Sequence, residues 1–189
     1  MKLKFLLLTL SICLFSVGQI TAQTTNFRNF NWGVSKARVK SEETAKIVLE
    51  KARLMHYESV FAGYNATIVY KFTVEHQLMK GQYILKNPLA GSKEYFHEFT
   101  FLENLLSEKY GEKTKTLVKL INNSPKEEAN YPLFLESGEL TKETYWSTPE
   151  TDIVLLLSTI KDGIALQIIY TSKKYTDLNN EKKKGAIDK

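Results

Sequence analysis

Alternation of apolar and polar residues with a period of two is the feature that most limits how this chain can fold. Along residues 66–73, the side chains of Ile68, Tyr70 and Phe72 fall on one face of an extended strand, and 164–171 shows the same pattern. Strands joined by short turns pair with antiparallel neighbours, because a parallel crossover needs about a dozen residues or more. The sequence therefore predicts an antiparallel sheet.

Turn-forming residues separate the alternating stretches. Asp162-Gly163 is typical of a two-residue hairpin turn between antiparallel strands, and Glu75-His76 can turn the chain between the earlier pair. The predicted strands cover residues 57–62, 66–73, 78–85, 114–121, 152–159 and 164–171, with strand pieces at 134–135 and 144–146 around a turn at Gly138. The last two long strands carry apolar residues on both faces, which predicts central positions in the sheet.

One stretch has helical periodicity instead. Apolar side chains recur at intervals of three and four residues between Ser92 and Tyr110, at Phe96, Phe99, Leu102 and Leu106. This spacing places them in one stripe of an amphipathic helix. Ser92 is a suitable cap and Gly111 a typical stop, so the sequence predicts a helix running to about Tyr110.

A shorter helix is predicted earlier in the chain. Ser35 is a favourable N-cap, so this helix should begin at Lys36. Every residue up to Met55 tolerates a helix, but the β-branched pair at 47–48 favours a strand. We therefore predict a short helix that ends near Glu43 and is followed by a strand.

The order helix, strands, helix, strands predicts the α+β fold class: an antiparallel sheet with one or two helices packed on one face. The two strong hairpins align without a gap at an offset of 85 residues, which matches Ile68 with Ile153 and Gln82 with Gln167. Two explanations stay open. The chain contains a duplicated helix-plus-meander unit, or two unrelated hairpins have similar composition.

Residues 1–22 have the features of a secretory signal peptide. Lys2 and Lys4 precede an apolar stretch at 5–17, and Ala22 supplies a small residue before the predicted cleavage. The stretch is shorter than the roughly 20 residues that span a bilayer. A bulky residue directly before Cys13 disfavours a lipoprotein signal. We therefore expect export to a bacterial periplasm or beyond the cell, with no transmembrane segment after cleavage.

Composition divides the rest of the chain in two. Residues 23–172 are predicted to form a single α+β domain, and 173–189 a basic, disordered tail with lysines at 173, 174 and 182–184. The one cysteine, Cys13, lies in the signal segment, so disulfides and thiolate chemistry are excluded from the mature chain. The formal net charge of +5 is modest and partly in the tail, and no nucleic-acid partner is expected.

Several short motifs together resemble a known group of proteins. They are Trp32-Gly33-Val34-Ser35 before a short helix, Lys109-Tyr110-Gly111 at a helix end, and Trp146 ahead of Thr151-Asp152-Ile153-Val154-Leu155; Phe61-Ala62-Gly63 and Tyr70-Lys71-Phe72 lie between them. The pattern, over about residues 27–171, resembles a loosely defined set of small exported bacterial proteins of unknown function. This resemblance implies export and an α+β fold, and it brings no catalytic residues with it.

Motifs for common chemistries are missing. The histidines His56, His76 and His97 do not pair at helical metal-ligand spacings, and the zinc-protease pattern that begins at His97 has Phe101 where it needs a second histidine. No glycine-rich phosphate loop or dinucleotide fingerprint occurs. We therefore expect no metal ion, no cofactor and no catalytic residues identifiable from sequence.

Aromatic side chains are the remaining candidates for a site. Tyrosine and tryptophan suit ligand or partner surfaces, because they combine apolar area with a polar tip. The residues that could line such a surface are Tyr64, Tyr83, Tyr131, Tyr145 and Trp146, with Tyr95 as a further candidate. The competing interpretation of each is packing within the core or the sheet.

These observations favour a non-enzymatic module that binds a protein, a peptide or a small apolar ligand through the face or edge of its sheet. One alternative is a hydrolase of cell-envelope material, which needs two or more of His56, His76, Glu75 and Asp152 to converge in a pocket. A second alternative is a lipocalin-like carrier of a small apolar ligand, which needs a sheet closed on itself.

Overall fold

The structure, a computed structural model, describes residues 25–86, 89–121 and 127–187, with the side chains described as far as Asn180. The predicted signal peptide and its cleavage site lie outside the described residues, so export stays a prediction. Within the described ranges, no helix is both long enough and apolar enough to cross a bilayer.

The described residues form one antiparallel sheet of eight strands with helices, which confirms the predicted α+β class. Its strand order is β1-β2-β3-β4-β8-β7-β6-β5. In chain order the elements are α1 (Lys36–Glu42), β1 (Lys46–Lys51), β2 (Leu54–Phe61), β3 (Tyr64–Phe72), β4 (Leu78–Leu85), α2 (Ser92–Tyr110), β5 (Lys115–Leu120), a 3-10 turn (Glu128–Asn130), α3 (Tyr131–Glu136), β6 (Leu140–Ser147), β7 (Thr151–Ile160), β8 (Gly163–Ser172) and α4 (Lys173–Ile187).

This strand order is that of two four-stranded meanders that meet at β4 and β8. Each meander follows a helix, α1 or α2, and each has its first strand at an edge of the sheet. A half-turn about an axis normal to the sheet, through the Tyr83–Ile168 pair, exchanges β4 with β8 at the offset of 85. The structure therefore has the architecture of a duplicated helix-plus-meander unit.

The ungapped alignment is wrong for the preceding strands. Ile68 pairs with Tyr83, and Leu155 pairs with Ile168, so β3 corresponds to β7 at an offset of 87. The longer turn between β3 and β4, together with an irregularity in their pairing, accounts for the difference of two residues. The two offsets differ by two residues, and a shift of two preserves the alternation of a strand. The same side chains therefore point inward in both alignments.

One face of the sheet, here called the covered face, carries the hydrophobic core. Phe99, Leu102 and Leu106 of α2 are buried against it, together with Val39 of α1 and Leu135 of α3. Residues 25–34, here called the N-terminal segment, cover the centre of the same face through Phe27 and Phe30. The opposite face, here called the open face, carries the alternate side chains of every strand.

Local sequence explains most helix ends. The Ser35 side chain accepts a hydrogen bond from the backbone N–H of Arg38 (3.2 Å), as an N-cap should. Gly111 ends α2 with φ of 83°, a conformation that favours glycine. The predicted cap of α2 is wrong by one residue, since Gly91 is the N-cap and Ser92 begins the helix.

Two predicted elements are wrong. The strand piece at 134–135 belongs to α3, where Pro132 lies in the first turn, a position that needs no N–H donor. The predicted disordered tail forms α4 instead: the Ser172 hydroxyl accepts a hydrogen bond from Tyr175 N–H (3.2 Å), and the Asn179 side chain accepts one from Val74 N–H (3.3 Å). These contacts hold α4 at the end of the sheet beside the β3–β4 turn.

Candidate functional site

A cleft of about 1110 Å³ opens at one end of the covered face. It lies between the N-terminal segment, the last residues of α2, the β6–β7 turn and the first residues of α4. Ile153 and Tyr170, both buried, form its floor. Its volume is that of a site for a small molecule or a short peptide.

Three aromatic side chains, Trp32, Tyr110 and Tyr175, line the walls of the cleft above the floor residue Tyr170. Trp32 is held in place because its indole N–H donates a hydrogen bond to the Thr151 hydroxyl (2.8 Å). Tyr110, at the end of α2, packs edge-on against Tyr170, with ring centres 6.1 Å apart. Tyr175 of α4 is the third wall. Burial, with the neighbouring Tyr110, raises the pKa of Tyr170 well above its ordinary value, so its phenol stays neutral.

Close approach of two segments explains the place of Tyr175. Gly33 has φ of 84°, and a Cβ added there would lie 2.0 Å from the Tyr175 hydroxyl oxygen. Glycine is therefore required at this position both by the backbone conformation and by the space that Tyr175 occupies. The contact joins α4 to the N-terminal segment beside the cleft.

The lysines of the cleft fall into two kinds. Lys173 is engaged, because its ammonium donates to the Thr148 carbonyl oxygen (2.6 Å) and lies 3.6 Å from an Asp152 carboxylate oxygen. Lys109 and Lys174 form no ion pair with a carboxylate of the described residues. Their ammonium groups lie 5.1 and 5.4 Å from the ring centres of Tyr110 and Tyr175. They are therefore available to an anion beside an aromatic wall.

The cleft also contains a carboxylate that is already satisfied. Glu150, in the β6–β7 turn, accepts a hydrogen bond from the Asn26 side chain (2.8 Å). This bond joins the turn to the N-terminal segment across the cleft. Glu150 keeps its negative charge, because the amide that it binds is neutral, but it forms no ion pair with Lys109 or Lys174.

Behind the cleft, an ion pair fastens the N-terminal segment to the first meander. The Arg28 guanidinium donates two hydrogen bonds to the Glu43 carboxylate (2.9 and 3.1 Å), and the Tyr70 hydroxyl donates a third. Burial alone would raise the pKa of Glu43, but the bonds from Tyr70 and Ala45 and the charge of Arg28 outweigh burial and lower it. The Arg28–Glu43 ion pair therefore holds the N-terminal segment, part of which lines the cleft, against the end of α1.

Two of the predicted ligand-surface residues are in the core. Tyr83 is 7% exposed and Trp146 is 1% exposed, because both lie on the covered face of their strands. The Trp146 indole N–H donates to the Ser107 hydroxyl of α2 (3.3 Å). The prediction that they line a ligand surface was wrong. The alternation of side chains along β4 and β6 places them on the covered face, beneath α2 and the N-terminal segment.

The other predicted surface residues lie apart from one another. Tyr64, on β3, is half-buried, and burial with a hydrogen bond to Glu98 raises its pKa to about 12. Tyr131, at the start of α3, stacks on Phe96 with ring centres 6.4 Å apart. Tyr145 lies on the open face of β6, where its hydroxyl donates to Glu143. The structure brings none of the three into the cleft.

The residues suggested for a hydrolase do not gather into one pocket either. His56 is on β2 and Asp152 on β7, with three strands between them, a separation of about 19 Å at the usual strand spacing. Glu75 and His76 belong to the β3–β4 turn. Among the described residues, no group of three or more histidine, cysteine, aspartate or glutamate side chains could hold a metal ion.

Sequence reasoning missed the residues that line the cleft. Tyr110 and Tyr170 were assigned to the apolar stripes of a helix and a strand, and Tyr175 and Lys174 to the edge of the tail. One signal was present: the doublets Lys109-Tyr110 and Lys174-Tyr175 both stand at the ends of elements. Only the fold shows that these ends meet.

Comparison with known proteins adds no assignment: no family model, no curated protein and no solved structure matches this chain significantly. The architecture nevertheless bears on one alternative. A lipocalin-like carrier needs a sheet closed on itself, whereas β1 and β5 are the two edges of this sheet and do not pair with each other.

Proposed function

We propose that this protein is a non-enzymatic, exported binding protein whose ligand occupies the cleft at the end of the covered face. The observation that carries the proposal is the pairing of aromatic walls with the two lysines, Lys109 and Lys174, that have no carboxylate partner among the described residues. The ligand class that fits is an organic anion with a ring or another apolar part. Export follows from the predicted signal peptide.

The physical argument has an apolar and an electrostatic component. Rings that leave water for a cleft wall gain about 25 cal/mol per Å² of buried apolar area. An anion beside two lysines at the protein surface gains about 0.2–1 kcal/mol from each. The first component supplies affinity and the second selects ligands that carry negative charge.

We expect that replacing both lysines, Lys109→Gln with Lys174→Gln, weakens binding of an anionic aromatic probe about tenfold, from the loss of two such contacts. The probe is 8-anilinonaphthalene-1-sulfonate, titrated by its own fluorescence and by quenching of protein tryptophan emission. The matched control is Lys93→Gln with Lys161→Gln, two exposed lysines away from the cleft.

A neutral analogue, N-phenyl-1-naphthylamine, separates charge from apolar contact. Its affinity should be the same for the wild-type protein and for both double variants. The proposal is wrong if the sulfonate probe binds the Lys109/Lys174 variant as tightly as it binds the Lys93/Lys161 control.

A further inference from the structure

The open face has a distribution of charge that the cleft does not explain. Register places residues of neighbouring strands in transverse rows across it. The row nearest the β3–β4 turn consists of Lys51, Leu54, Lys71, Lys80, Thr171 and Asp152. Positive charge is therefore concentrated on the β1–β4 half of this row.

Lys71 and Lys80 are direct cross-strand partners. Like charges in this position destabilise a sheet. Neither lysine forms an ion pair with a carboxylate of the described residues. Burial, and then the charge of Lys71, lowers the pKa of Lys80. The pair is thus an electrostatic cost that the fold itself does not require.

His56, in the next row, has a pKa that is affected by the same positive charges. Burial lowers its pKa, and the nearby charges of Lys71, Lys51 and Lys86 lower it further. Glu58, one row beyond His56, lies 3.7 Å from Lys46 and 3.9 Å from Lys86, and Asp152, at the far end of the first row, lies 3.6 Å from Lys173. Neither carboxylate forms an ion pair with Lys71 or Lys80.

The centre of the open face is neutral and partly apolar. Ile84, Ile169, Val154 and Leu156 occupy its two middle rows and are half-buried, whereas Val69 in the same rows is 3% exposed. Between them, the Gln82 side-chain amide donates to the Gln167 oxygen (2.6 Å), and the Gln167 amide donates to the Ser158 hydroxyl (3.3 Å). This amide ladder crosses the junction of the two meanders. Gln82 and Gln167 are each 8% exposed, so the accessible surface consists of the four half-buried aliphatic side chains next to the unpaired cations.

We propose that the open face docks an acidic, partly apolar segment of another protein, with its carboxylates on Lys71 and Lys80 and its aliphatic side chains on the central rows. Charge complementarity selects this occupant. A second copy of this chain whose two-fold axis passed through Lys71 and Lys80 would place lysines against lysines. A small ion would use the cations and leave the aliphatic rows in water, whereas a polypeptide segment covers both.

The test is binding of a short peptide of alternating glutamate and valine to the full chain, followed by isothermal titration and by amide chemical shifts. A peptide with glutamine for glutamate is the matched ligand. We expect the double variant Lys71→Gln with Lys80→Gln to bind the acidic peptide about tenfold more weakly. Lys93→Gln with Lys161→Gln, of the same charge change, should bind as the wild type does.

Stability supplies a second readout. Because the Lys71/Lys80 variant loses a like-charge pair, its Tm should rise by about 1–3 °C while its affinity falls. Weaker binding by a more stable protein excludes misfolding as the cause. The proposal is overturned if this variant binds as tightly as the wild type, or if the glutamine peptide binds as well as the acidic one. It is also overturned if phosphatidylglycerol vesicles bind through these lysines and the peptide does not.

Discussion

Replacing Phe27 with alanine is expected to lower the free energy of unfolding by about 3–5 kcal/mol, the range for buried aromatic residues. Phe27 is 2% exposed, and its ring centre lies 5.2–5.4 Å from those of Tyr70, Tyr83 and Tyr170. These tyrosines belong to both meanders, so one side chain of the N-terminal segment packs across their junction. Urea unfolding followed by fluorescence measures the change. Phe101→Ala, at a residue that is exposed on α2, should change it by no more than about 0.5 kcal/mol.

Gly81 gives a test of the same contact from the opposite side. A Cβ at position 81 would lie 2.2 Å from Cδ1 of Phe27, so Gly81→Ala must displace the ring and should cost about 1–3 kcal/mol. In the Phe27→Ala protein the same substitution should cost much less, because the obstructing ring is gone. A double-mutant cycle that is additive within about 0.5 kcal/mol would contradict the contact.

The second large effect is expected at Glu43. Its side chain is 3% exposed and accepts hydrogen bonds from Arg28, Tyr70 and the backbone N–H of Ala45. Glu43→Gln leaves the Arg28 guanidinium partly buried without its counter-charge, so we expect a loss of about 2–4 kcal/mol at pH 7. Glu42→Gln is the matched control, since that neighbouring carboxylate forms only an exposed pair with Arg38, worth about 0.3–0.5 kcal/mol.

The loss at Glu43 should depend on pH in a defined direction. The folded-state pKa of Glu43 lies below its ordinary value of 4.5, so the unfolded chain binds this proton more readily than the folded protein does. The stability from the ionised carboxylate is therefore fully present above about pH 5 and is lost as the pH falls through the folded-state pKa. The difference between wild type and Glu43→Gln should shrink between pH 5 and pH 3 in urea titrations. A constant difference would show that this carboxylate does not ionise as described.

The elements that sequence predicted well are those whose signal is local. Residues 78–85 were predicted as a strand and form β4 with the same limits, because alternation and the flanking turns specify them completely. The end of α1 near Glu43 also agrees with the structure, since β-branched residues follow at once. The failures are short or polar pieces. Residues 134–135 are too few to show a period, and the composition of 173–187 resembles both a solvated tail and a helix.

The candidate surfaces could not be located in the same way. Trp146 and Tyr145 are adjacent in sequence but on opposite faces of β6, so residue type alone could not tell a core ring from a surface ring. The cleft depends on Trp32, Tyr110 and Tyr175, which come from three elements, and the lysine pair depends on the register of β3 against β4.

Hydrophobic periodicity, turn residues and caps are properties of a few consecutive residues. They were enough to establish an antiparallel α+β protein with one helix before and one helix after its first meander in chain order. Which strand ends meet, which face α2 covers and which charges lie opposite each other depend on contacts between residues far apart in the chain. Those contacts form because burial of the covered face selects one register and one strand order out of several that local preferences allow. For that reason the fold class could be derived from the printed sequence, whereas the cleft and the open-face lysines required the three-dimensional arrangement.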